Sequence, residues 1–111
     1  MKMTVQHLDL EKYRTPGSKV FTGRDRGEQV RIDSKFDSLV NNSDQVEVLI
    51  PADIRSINPS FLEEFLINTV KTLGERRFRE KVKFINQGRY QVDTDLCDAV
   101  DRILRIENAL A

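Results

Sequence analysis

The segment that most constrains the fold is Val46-Glu47-Val48-Leu49-Ile50-Pro51 running through Ile57-Asn58-Pro59-Ser60-Phe61-Leu62 into Leu73-Gly74. Val46 to Ile50 is a short aliphatic and β-branched run broken only by Glu47, which predicts a buried, central strand. The helix after it has clear local boundaries. Asn58 can cap it, Pro59 suits its first position, Ile57 can staple against Leu62, and Gly74 supplies a left-handed stop. Phe61, Leu62, Phe65, Leu66, Val70 and Leu73 recur at helical spacing and form one apolar stripe. Glu63 and Glu64 lie near the positive end of the helix dipole and Lys71 near the negative end.

Elsewhere the pattern is weaker. Met3, Val5 and His7 alternate with polar residues as in a half-buried strand, and Pro16-Gly17 marks a turn into a second strand at Lys19 to Thr22, a hairpin-like start. Gly23-Arg24-Asp25-Arg26-Gly27 reads as a polar loop. Ile32, Phe36, Leu39 and Val40 then predict a helix from Glu28 to Asn41. Glu75 to Glu80 reads as a charged connection into a strand at Val82, Phe84 and Ile85. A last helix, capped by Asp93 or Thr94, would bury Leu96, Val100, Ile103 and Leu104. The order is β-β-α-β-α-β-α, an α/β domain whose helices pack on a mixed sheet.

With 111 residues there is room for one domain. Eighteen Lys plus Arg balance 18 Asp plus Glu, so no basic excess draws the chain to nucleic acid or anionic membrane. Cys97 is the sole cysteine and His7 the sole histidine, which excludes an intrachain disulfide and any Cys/His zinc cluster. No run reaches the roughly 18 apolar residues of a membrane span, and no secretory leader opens the chain, so the expected location is the cytoplasm. No cofactor is called for.

The order, the Ile57-Asn58-Pro59-Ser60-Phe61-Leu62 entry into a helix and the following Val82-Lys83-Phe84-Ile85 strand resemble the STAS fold of anti-sigma-factor antagonists. They are more similar to a bacterial STAS-like family of unknown function. In that family a Gly- and Arg-containing loop, a hydrophobic strand and an Ile-x-x-Ser-Phe helix entry follow one another; here these are Gly23 to Gly27, Val46 to Ile50, and Ile57 to Phe61. The likeness spans about Thr22 to Arg105. It implies a non-enzymatic regulatory module that binds a histidine-kinase-like ATPase or an anti-sigma-type regulator through Asn58, Pro59, Ser60, Phe61, Glu63 and Glu64. Anti-sigma-factor antagonists of the classical type carry Asp-Ser at this helix start, and the serine is phosphorylated. Asn58 and Pro59 stand at those two places, and proline takes no phosphate, so any such control would fall on Ser60.

Each candidate has a plainer reading beside it. Ser60 lies where a helix tolerates added negative charge, yet a serine there often only satisfies an early N–H. Arg24, Arg26 and Arg31 could hold an anion or nucleotide, making the chain a small-ligand module or enzyme, or they could pair internally with Asp25 and Glu28. Arg76 to Lys83 is basic but interrupted by Glu75 and Glu80, which argues for a solvated connection over nucleic-acid binding. Cys97 is expected to be a small buried hydrophobe. Asp93, Asp95, Asp98 and Asp101 are split between helix faces and a cap rather than gathered for metal. A free sheet edge at the N-terminal strand would offer a route to a homodimer.

Overall fold

A computed structural model describes residues 3–110, with side chains through residue 106. Three strands, β1 (Val5–Asp9), β3 (Gln45–Ile50) and β5 (Val82–Asn86), form a sheet in the order β1-β3-β5. Val46 to Ile50 is the central strand, as its aliphatic run predicts, and Val46, Val48 and Ile50 are buried on one face. Both pairings are parallel, with Leu8 beside Val48 and Val48 beside Phe84. The sheet is therefore parallel and not mixed.

The expected N-terminal hairpin is absent. β2 (Val20–Phe21) pairs in parallel with β4 (Ser56–Ile57), a strand the sequence reading did not contain, in a separate two-stranded sheet. Physically, Leu8 and Leu10 are drawn into the core and the chain turns through a 3-10 turn, Leu10–Tyr13, so β1 never doubles back. Arg14 secures this stretch: its guanidinium donates to Asp53 at 2.7 and 3.0 Å, to Glu11 and to the Ser18 carbonyl. That bond holds the Asp53 carboxyl below its ordinary pKa.

The helices are α1 (Arg24–Ser34), α2 (Phe36–Asn41), α3 (Pro59–Lys81) and α4 (Asp93–Leu110). In a sheet ordered β1-β3-β5, right-handed crossovers place both connecting units on the same face. Burial agrees: Leu8, Val46, Val48, Ile50 and Val82 face the helices, whereas His7, Lys83 and Ile85 lie exposed on the other side. There His7 and Glu47, register partners, stand 2.8 Å apart. Phe36 stacks on Phe65 at 4.4 Å between ring centres, and Phe61 lies 5.2 Å from Phe21 and 6.0 Å from Phe65. This aromatic row joins β2, α2 and α3 in one core.

Three helix predictions change. The Gly23 to Gly27 stretch is not a loop: Gly23 (φ 93°) caps α1, and Arg24 opens it. The single helix to Asn41 is broken at Lys35, which takes a left-handed φ of 55°. The break rotates Phe36 out of step with α1, so Ile32, expected on the buried face, is 60% exposed. Gly74 does leave the helix (φ 80°, ψ 165°), but the chain re-enters it, and Glu75 to Glu80 is helical rather than a connection. Phe78, fully buried, is the anchor that makes the second segment worth forming.

Candidate functional site

The β2–β4 pair sets the geometry of the candidate site. Phe21 and Ile57 lie in register, the Asn58 amide donates to the Phe21 carbonyl at 2.8 Å, and each strand leads directly into a helix. Thus α1 and α3 begin side by side. The two segments singled out in the sequence as separate sites form one shoulder.

Gly27 is what lets them meet. It is buried in α1, and a Cβ built there would fall on the Phe61 carbonyl and within 3.2 Å of the Glu64 Cβ. Only glycine allows so close an approach of two backbones. At the entry to α3 the local chemistry is as predicted: the Asn58 side chain accepts from the Ser60 amide at 2.9 Å and from the Ser60 hydroxyl at 2.8 Å. Ile57 and Leu62 are both fully buried. Tyr90 closes the inner side, its hydroxyl 2.6 Å from Asp95 Oδ2 and 3.3 Å from the Ile57 carbonyl. Burial first, then the Asp95 bond, push the Tyr90 pKa up.

The six residues assigned to partner contact divide by depth. Asn58 is exposed, Pro59, Ser60 and Glu64 are half-buried, and Phe61 and Glu63 lie in the interior. Phe61 is core, and Glu63 is the buried carboxylate of an ion triad. Its Oε2 accepts from Arg24 at 3.2 Å and from Arg102 at 3.3 Å, joining α1, α3 and α4. The Glu63 side chain is 4% exposed while Arg24 and Arg102 are 55% and 47% exposed, so the charges are buried at the centre and wet at the ends. Arg24 Nη1 also stands 3.9 Å from Glu64 Oε1.

The other two arginines are committed inward, though not to Asp25 or Glu28. Arg26 donates to the Tyr13 carbonyl and Arg31 to the Glu64 carbonyl, with Arg31 Nε 3.9 Å from Asp37. Of the three arginines proposed for an anion, Arg24 is exposed and Arg26 and Arg31 are half-buried.

Arg102 escaped the sequence reading. A signal for it was available: Glu63 falls three residues before Leu66 and seven before Val70, on the stripe that α3 buries, and a carboxylate there needs a cation. Cys97 is exposed, against expectation, because Leu96 and Val100 take the inward positions of α4 and leave Cys97 beside Arg79, 3.5 Å from Sγ to Nη2. Among the described residues no group of His, Cys, Asp and Glu could hold a metal ion, and no helix is long and apolar enough to cross a membrane. Compared with known proteins, the chain matches no protein-family model, no curated protein and no solved structure.

Proposed function

We propose that this chain is a regulatory protein-interaction module, STAS-like in character and not an enzyme, whose docking surface is the shoulder where α1 and α3 begin. The observation that carries the reading is the Gly27–Phe61 approach, which joins Arg24, Asn58, Pro59, Ser60 and Glu64 into one polar rim on a rigid base. Capping fixes the backbone, so a partner meets a preformed surface and orders little on binding. The partner in view is a histidine-kinase-like ATPase or an anti-sigma-type regulator, a choice that rests on the sequence resemblance. Ser60 is the point at which phosphorylation would act. Ser60 is a half-buried residue at the second position of a helix, where backbone N–H groups and the dipole favour a phosphate.

The test is site-specific photo-crosslinking in the native cell. A photoreactive residue replacing Ser60 should trap a defined partner that the same residue at Lys83, on the opposite face of the sheet, does not. Equal products at both positions would dismiss the shoulder. If the trapped partner then binds Ser60→Ala and wild type alike, and mass spectrometry finds no phosphate on Ser60, the serine supports the Asn58 cap and nothing more.

A further inference from the structure

We infer that Arg24 and Arg102, pinned by the buried Glu63 carboxylate, form a two-guanidinium clamp for a phosphate monoester. Both arginines donate to the same oxygen, at 3.2 and 3.3 Å, so their heads converge within the reach of one small anion although their Cα atoms belong to different helices. Each guanidinium carries five N–H donors in a fixed fork and gives Glu63 a single nitrogen, and the side chains are 55% and 47% exposed. Each head thus has donors beyond those it gives to Glu63. Paired guanidinium forks suit the oxygens of a phosphate better than two point charges do.

The energetics of the triad point the same way. A carboxylate taken out of water is held at a substantial desolvation cost, and an apolar residue of similar size in such a place is often neutral or stabilising. Stability alone therefore gives little reason for a glutamate at position 63, on the buried stripe of α3. What the carboxylate does accomplish is to fix two long, flexible side chains at one separation. Arg24 and Arg102 stand against Glu63 and Glu64, so the charges balance locally and what the pair offers an anion is the geometry of its donors. The start of α1, where Arg24 is the first helical residue, adds the positive end of a helix dipole. Glu64 Oε1, 3.9 Å from Arg24 Nη1, engages one side of the Arg24 head.

This inference names a chemistry for the docking shoulder and rests on that reading only for the source of the phosphate; the clamp is tested with small anions and no partner protein. The arginine side-chain Nε–Hε resonances of the full chain are followed by NMR during titration with inorganic phosphate, then with free phosphoserine, at constant ionic strength. Saturable shifts at Arg24 and Arg102 are expected, with at least tenfold weaker binding in Arg24→Lys/Arg102→Lys, which keeps the charge and removes the forks. Arg102→Lys alone, at a partly exposed site, serves if the double variant does not fold. Saturable binding of phosphoserine upholds the clamp; binding of inorganic phosphate without phosphoserine overturns the monoester as its ligand. No saturable shift at either arginine, or equal affinity in the lysine variants, overturns it.

Discussion

Two arginine-rich segments of this chain look alike in sequence and have opposite fates. Arg24, Arg26 and Arg31 belong to α1, and each reaches a partner far along the chain: Glu63, the Tyr13 carbonyl and the Glu64 carbonyl. Arg76 and Arg79, in the last turns of α3, pair with Glu80 and Glu75 one turn away, and Arg76 is 90% exposed. The first set ties α1 to α3 and to the turn before β2; in the second, Arg76 only dresses the helix surface, and Arg79 adds a contact with Cys97 of α4 to its local pair. What separates them is packing: α1 is pressed onto α3 through Gly27, so its cations are forced against another element, while the end of α3 turns its charges to water around the single anchor Phe78. A count of charges says nothing about this. The burial of the partner groups does: Arg24 meets the buried Glu63, while Arg76 and Arg79 pair with the exposed Glu80 and Glu75.

The comparison can be broken from its strongest side first. Gly27→Ala places a methyl group against the Phe61 backbone, which cannot yield as a side chain would, and should destabilise the fold by about 3 kcal/mol despite the better helix propensity of alanine. Denaturant unfolding measures it; a loss below about 1 kcal/mol would mean that the two helices slide apart freely. Arg31→Ala removes a side chain only 13% exposed and its bond to the Glu64 carbonyl, for an expected cost of about 1.5 kcal/mol. Arg76→Ala should change stability by less than about 0.5 kcal/mol, as for other exposed i,i+4 pairs, and a larger loss would show that the surface network matters more than its geometry indicates.

The same contrast explains what could be read from the sequence. The entry to α3 was legible because Asn58, Pro59 and Ser60 act on one another within three residues. The central strand was legible because Val46, Val48 and Ile50 carry their burial in their own side chains. The start of α1 was not, since Gly23 and Gly27 resemble loop residues until Phe61 is seen to need the space. Lys35 breaks the helix with a left-handed backbone that its side chain does not announce. The shoulder was half legible: both segments were named, but their union depends on β2 pairing with β4 across most of the intervening chain. Glu63 was read through the helix dipole, a local effect, and its true partners lie on two other helices.

Every strand pairs with the next but one: β1 with β3, β2 with β4, β3 with β5. Among the described residues no hairpin exists to form early, and each ladder must close a loop of roughly 35 to 40 residues before its hydrogen bonds repay the entropy lost. Such a chain folds late and as a whole. During synthesis β1 waits for β3, and β3 lacks its second neighbour until Asn86 has left the ribosome, so fragments ending before β5 leave one side of the central strand open.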